Sequence, residues 1–239
     1  RFGADASLYV AGGEALLMHL VEGRHAGSYY DESPPLVAMA LAADGRPPFS
    51  PAGGSVLLSD RDGGVASVSL RDGRRSPKRR LHHGSVSVVT RFGDRVASGA
   101  YDGFVRVFDA ATLQPLAGVD LGQGPVQAIS GEIESGRLWV GTWRGKVNEM
   151  DLDTGTVLST VEAFPSSVRT LAIDPRSKLL FAGGNDGELR VFERDAGALR
   201  PVTAGLQPGA AYRAAFDEQA SLLVTSDDGV RRYRAADLT

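Results

Sequence analysis

The stretch "ASGAYDGFVRVFDAATLQPL", residues 97–116, holds a small-residue run, an Asp-Gly pair, an alternating apolar segment and a polar turn. Read alone it is one β-hairpin. Gly accepts a positive φ and Asp bonds its own backbone, so Asp102-Gly103 supplies what a tight turn needs. Val105 and Val107 then alternate with polar residues at the period of two that marks a strand. The stretch is not alone. "SVLLSDRDGGVASVSLRDG" from Ser55, "RLWVGTWRGKVNEMDLDTG" from Arg137, "KLLFAGGNDGELRVFERDAG" from Lys178 and "SLLVTSDDGVRRYRAADL" from Ser221 repeat its pattern. "SLYVAGGEALLMHLVEG" from Ser7 is a weaker copy with a shortened turn. The turn glycines Gly63, Gly103, Gly145, Gly187 and Gly229 are spaced 40, 42, 42 and 42 residues apart. A near-constant step of that size marks a repeat architecture.

Each repeat has room for four strands. The apolar run before the turn (Leu179, Leu180, Phe181) reads as a strand buried on both faces. A third strand follows the turn. "QPLAGVDL" at 114–121 and "TVLSTVEA" at 156–163 fit an outer strand. "PVQAIS" at 125–130, "SVRTLAID" at 167–174 and "AYRAAFD" at 211–217 fit an inner one. Four antiparallel strands per repeat match a blade of a β-propeller. The expected fold is therefore all-β: one propeller domain over residues 1–239, with six blades detectable and a seventh possible outside this piece. With no initiating Met, the chain reads as a fragment of a larger polypeptide. Residues 22–53 form the one long irregular interval, rich in Pro, with a strand expected at 36–42 between extended loops.

Composition narrows the function classes. The net charge of −3 provides no global field toward nucleic acid or membrane. The longest apolar run, "LVAMALAA" at 36–43, is far short of the ~20 residues a membrane helix needs. No Cys is present, which removes thiolate chemistry and Cys-bound zinc, and fits a reducing, cytoplasmic setting. Arg far outnumbers Lys and Ala and Gly abound, a composition suggesting a bacterial source.

The unit "LHHGSVSVVTRFGDRVASGAYDGFVRVFDAATLQPL", residues 81–116, resembles a repeat of the WD-repeat β-propeller family, and the pattern extends over nearly the whole chain. The resemblance implies a hydrogen-bonded network within that blade, made by His82 or His83 with Ser98 and Asp102. Phe108 stands where the family has Trp and has no N–H to donate. The other blades hold Val68, Met150, Phe192 and Tyr233 there and lack the His, so the network is expected at most once, and incompletely. The resemblance also implies a protein–protein interaction role.

Catalytic signals are sparse. The four His (His19, His25, His82, His83) have no metal-ligand spacing, and no glycine-rich phosphate loop precedes a helix. The acidic pairs Asp31–Glu32, Asp151–Asp153 and Asp227–Asp228 read as turn or loop residues. No catalytic residue, metal or cofactor is assigned, and the chain is read as a non-enzyme. The repeat register points instead to a surface. Two residues before each turn glycine stand Arg61, Tyr101, Trp143, Asn185 and Asp227, a different type in every blade. The next position is near-uniform: Asp62, Asp102, Arg144, Asp186, Asp228. A structural position should resemble itself from repeat to repeat, and a variable one is available for recognition. In the resembled family these turns lie on one rim around the channel mouth. Arg61, Tyr101, Trp143, Arg144, Asn185 and Asp227 are thus the candidate partner-binding residues; the competing reading folds Trp143 onto a neighbouring blade. A second candidate is the basic run "LRDGRRSPKRRLHHG" at 70–84. Arg74, Arg75, Lys78, Arg79 and Arg80 either protect an outermost strand, expected over Arg75–Leu81, from edge pairing, or dock an acidic partner. The function expected is a scaffold or sensor module that binds a protein through the rim, the partner being another protein or other domains of the same polypeptide or complex. The alternatives are a propeller hydrolase or lactonase with a channel-mouth site, and a nucleic-acid platform. The shortness of the basic run and its lack of interleaved aromatics argue against the latter.

Overall fold

The computed structural model describes residues 7–12, 16–21, 24–30, 36–41, 55–69, 74–174, 176–195, 198–206, 213–216 and 221–234. The side chains of His19 and His25, and the Pro-bearing segments 31–35 and 42–54 with Asp31 and Glu32, lie outside this description. All regular structure described is β. The chain forms two compact units, Arg1–Gly118 and Val119–Thr239.

The first unit begins with a three-stranded antiparallel sheet of β1 (Ser7–Gly12), β2 (Leu16–Val21) and β3 (Arg24–Tyr30). A four-stranded sheet follows: β4 (Leu36–Leu41), β5 (Ser55–Asp60), β6 (Gly64–Ser69) and β7 (Arg79–Arg80). The next comprises β8 (Val86–Phe92), β9 (Arg95–Ala100), β10 (Phe104–Asp109) and β11 (Pro115–Asp120), whose last residues enter the second unit. The second unit holds β12 (Val126–Glu132), β13 (Arg137–Thr142), β14 (Lys146–Asp151) and β15 (Val157–Glu162). A further four-stranded sheet is β16 (Val168–Ile173), β17 (Leu179–Gly184), β18 (Leu189–Asp195) and β19 (Ala198–Leu206). A three-stranded one ends the series with β20 (Arg213–Phe216), β21 (Ser221–Ser226) and β22 (Gly229–Arg234). Each sheet is a meander of sequence-adjacent antiparallel strands, as the repeat required.

Burial follows strand position. β9, β13 and β17 are buried on both faces after their first residue, whereas β11 and β15 are exposed at all but two positions, both half-buried. The residues at the Trp position carry much of the core: Val68, Phe108, Met150 and Phe192 are all 2% exposed or less. A fully buried Phe contributes about 1.5–3 kcal/mol in apolar transfer. Tyr233 packs, partly buried, against the cluster containing Phe181, Leu222 and Val224.

The structure differs from the sequence reading at two strands. The interval 22–53 contains β3, an outer strand whose polar residues and Gly27 gave no apolar alternation. The outer strand expected over Arg75–Leu81 is reduced to Arg79–Arg80 and an isolated bridge between Val68 and Arg75. Pro77 has no N–H to continue the ladder, and the Ser67 N–H is taken by the Ser76 hydroxyl at 2.9 Å.

Two turns from third to fourth strand, β10–β11 and β14–β15, share an Asp-x-x-Thr signature that the sequence reading did not isolate. Asp109 Oδ1 accepts the Thr112 hydroxyl and N–H, each at 2.7 Å, and Asp151 Oδ1 accepts those of Thr154 at 3.0 and 2.9 Å. The Thr112 hydroxyl foremost, and the Thr154 N–H foremost, hold the two carboxyls below their ordinary value. The next residue is left-handed in both, Leu113 at φ 55° and Gly155 at φ 71°. Leu113 holds this conformation because its side chain is 2% exposed in the Val89–Phe108 core.

Candidate functional site: the turn tips

The five predicted turn glycines all have positive φ. The variable residues before them, Arg61, Tyr101, Trp143, Asn185 and Asp227, are all exposed. Tyr101 is 52% exposed and Trp143 50%, so Trp143 is not folded away onto a neighbouring blade. Their backbones explain why the side chains can vary. The Tyr101 N–H donates to Ser85 O at 2.9 Å, that of Trp143 to Pro125 O at 2.8 Å and that of Asn185 to Ser167 O at 3.0 Å. The main chain fixes these three tips and leaves the side chains outside. The following Asp does the turn's work: Asp102 Oδ1 accepts the Phe104 N–H and Asp186 Oδ1 the Glu188 N–H, both at 3.1 Å. In the β5–β6 turn the buried Asp60 takes over, accepting the N–H groups of Asp62 at 2.9 Å and Gly64 at 2.7 Å.

Within the first unit, the structure chooses His82 over His83. His82 is 1% exposed; its Nε2 lies 2.7 Å from Ser98 Oγ and its Nδ1 3.1 Å from Asp102 Oδ1. The carboxylate calls for a proton on Nδ1, so Nε2 accepts from the Ser98 hydroxyl. His83 contributes its backbone N–H to Asp102 Oδ2 at 2.9 Å. Arg106 Nη1 adds a contact of 3.4 Å to that oxygen and stacks its guanidinium over Phe104, 4.3 Å from the ring centre. Ser98, His82 and Asp102 reproduce the connectivity of a hydrolytic triad, but Ser98 is fully buried and cannot meet a substrate. This is a structural tie between the linker and the β9–β10 hairpin.

The network makes a pH prediction. Burial lowers the His82 pKa below its ordinary 6.5, against the raising effect of Asp102. The unfolded chain therefore takes up this proton first, and stability falls as pH drops from about 6.5 toward the folded value. Burial pushes the Asp102 carboxyl up, but the N–H groups of His83 and Phe104 and the His82 ring outweigh it and hold the net value low. Its contribution is lost only below its ordinary 3.8. Melting temperature should thus fall between about pH 7 and pH 5, with a shallower slope in His82→Gln. Equal slopes in the two proteins would assign the titration elsewhere.

In the second unit, two turn tips converge. Trp143 and Arg144 of the β13–β14 turn, Asn185 of the β17–β18 turn, residues 165–167 of the linker between β15 and β16, and Arg169 line a depression of about 490 Å³. Three of these, Trp143, Arg144 and Asn185, were singled out from the sequence. The linker wall and Arg169 were not. The wall is set by Ala163 and Phe164, whose N–H groups both donate to Gly145 O at 2.9 Å, just as Leu81 and His82 do to Gly63 O. Phe164 thus occupies the place of His82, nineteen residues after the turn glycine in both blades. Counting forward from the turn would have found it. Arg190 covers the Phe164 ring at 4.6 Å, donates to Ala163 O and pairs with Glu188. Arg169 sits at the irregular step of β16 between Val168 and Thr170, a bulge that period-two reading cannot show. The Ser166 Oγ is buried without a hydrogen-bond partner among the described residues.

The basic run falls on the first unit's β7 edge. Arg74, Arg75, Lys78, Arg79 and Arg80 are exposed, and Lys78 and Arg80 line a hollow of about 370 Å³ with Asp62 and Gly64. Lys78 is committed, however: its Nζ lies 3.1 Å from Asp60 Oδ2, a carboxylate 3% exposed. It balances a buried charge. Among the described residues no three His, Asp or Glu side chains group as metal ligands, and no helix is long and apolar enough to cross a membrane.

Two parts of the chain, residues 75–109 and 155–193, match the family model described as "WD domain, G-beta repeat". They contain the His82 network and the linker wall. These two parts are WD repeats, and the chain has the β-propeller fold. Among curated WD-repeat relatives, WD repeat-containing protein 74 of Bos taurus is 34% identical over 89 residues, 36% of this chain and 23% of its own length. WD repeat-containing protein SL1-17 of Schistosoma mansoni is 27% identical over 104 residues, 44% of this chain and 34% of its own. The matches thus span about a third or less of those proteins, and both relatives are eukaryotic. A chain in a crystal structure of the mitotic checkpoint complex superposes with a TM-score of 0.86 at 17% identity, over 98% of this chain and 73% of that one, which shows the propeller fold. WD-repeat propellers typically serve as protein-interaction scaffolds.

Proposed function

We propose that the chain is a protein-interaction module whose partner docks on the second unit's turn tips. The observation that carries the reading is the convergence of Trp143 and Asn185, one register position in two successive blades, on a single depression. Exposed Trp and Arg are the types that dominate interface energetics, and the backbone bonds of the tips hold them in place without a partner. Asp227 in the same unit, and Arg61 and Tyr101 in the first, extend the set as further tips. The matched chain's place in a multiprotein complex agrees with a scaffold role. To test it, a photoreactive benzoylphenylalanine replaces Trp143 in the full-length protein in its native host, with the same residue at Leu158, exposed on β15, as control. A discrete protein crosslinked from position 143 and not from 158 supports the reading; equal labelling from both positions overturns it.

A further inference from the structure

The lining of the depression carries a charge that contrasts with the chain as a whole. The chain is net −3, yet among the described residues the lining holds two guanidinium groups, Arg144 and Arg169, and no carboxylate. Arg144 is exposed and makes no ion pair among the described residues. The acids nearest in sequence are already engaged. Asp186 accepts the Glu188 N–H, Glu188 pairs with Arg190, and Glu162 lies 2.7 Å from Lys146 Nζ. A third guanidinium stands next to Arg169: Thr170 Oγ1 accepts the Ala214 N–H at 2.8 Å, which brings Arg213 of β20 beside β16. Desolvation by the surrounding protein first, and the charge of Arg169 second, pull the Arg213 pKa down. Like charges gathered beside a depression focus a positive field into it.

Resting on the binding role proposed above, we infer that the occupant is an unmodified acidic peptide segment, its Asp or Glu carboxylates held by Arg144 and Arg169 and a neighbouring apolar side chain laid on Trp143. The guanidinium fork matches a carboxylate in two parallel bonds. The indole supplies apolar area at the mouth, and the Asn185 amide, able both to donate and to accept, suits the peptide backbone.

Selection of short random peptides displayed on phage against the whole chain tests this. The expected result is enrichment of peptides with Asp or Glu beside Leu, Phe, Tyr or Trp. Their affinity should fall about tenfold or more, the loss of one strong contact, in Arg144→Gln and in Trp143→Ala, and should weaken with added salt. Arg144 and Trp143 are both exposed, and unchanged melting temperatures will confirm that these variants fold; Arg169→Gln, at a half-buried site, is read only if it melts as the parent does. Selected peptides that are neutral or basic but still depend on Trp143 would overturn the acidic assignment and leave the docking site standing. Acidic peptides indifferent to Arg144→Gln, or no enrichment of acidic peptides, would equally overturn it. Peptides indifferent to Trp143→Ala and Asn185→Ala alike would overturn the docking site itself.

Discussion

Gly145→Ala is expected to lose at least ~3 kcal/mol of stability, the range of severe overpacking combined with backbone strain. A Cβ at this position would lie 2.0 Å from Phe164 O and 2.4 Å from Ser166 O. Both are backbone atoms of the linker that covers the turn, so neither can swing aside as a side chain tip would. The φ of +76° adds a cost of its own, because an L side chain meets its own carbonyl there. Gly136 is the control: at φ +62° a Cβ would meet nothing within 4 Å. Gly136→Ala isolates the conformational cost and should lose only ~1 kcal/mol. The two urea midpoints give the comparison. Equal losses would mean that the linker does not rest on the Gly145 turn as described. The expected damage is also functional, since residues 165–167 form one wall of the depression.

Asp102→Ala should cost about 3–5 kcal/mol, the cost of breaking a buried charged network. The carboxylate receives the His82 ring, the N–H groups of His83 and Phe104, and Arg106. Its removal strands a buried imidazole N–H and a guanidinium together. Asp186 holds the same register position two blades on, but its side chain is 20% exposed against 10% for Asp102, with one backbone bond and Arg190 at 3.9 Å. Asp186→Ala should therefore cost ~1 kcal/mol, about one ordinary hydrogen bond. Chemical denaturation of both variants separates the cases. Similar losses would show that the turn bond alone carries the stability and the His82 contacts add nothing.

The contrast between Asp102 and Asp186 also shows how far a sequence of this kind can be read. Turn glycines and strand burial were legible because they repeat: a constant step and a period of two are imposed by backbone geometry, whatever the side chains. The tie of a histidine to Ser98 and Asp102 was legible only through the resemblance to the WD-repeat family, not from burial or spacing. The choice between His82 and His83 was not, because it depends on which residue of a linker faces inward. The depression was half legible. Trp143, Arg144 and Asn185 stood out by varying where their neighbours did not. Arg169 was hidden by a bulge that moves one side chain off the strand's alternation. Phe164 was hidden because an apolar residue in a linker has no strand alternation to mark it, its place being set by its distance from Gly145. The Lys78–Asp60 pair was not legible because a charge run shows how many cations are present, not which of them balances a buried carboxylate.

That the second unit's turn tips are the recognition surface is tested most directly by Trp143 itself. The chain has two Trp: Trp139 is 2% exposed beneath the Arg194 guanidinium, and Trp143 is 50% exposed at the tip. In Trp139→Phe, Trp143 is the sole indole reporter. Titrated with the partner captured by crosslinking, this variant should show saturable quenching or a blue shift of its emission, with a midpoint equal to the affinity measured independently by calorimetry. Binding seen by calorimetry with the Trp143 emission unmoved would place the partner elsewhere and contradict the account.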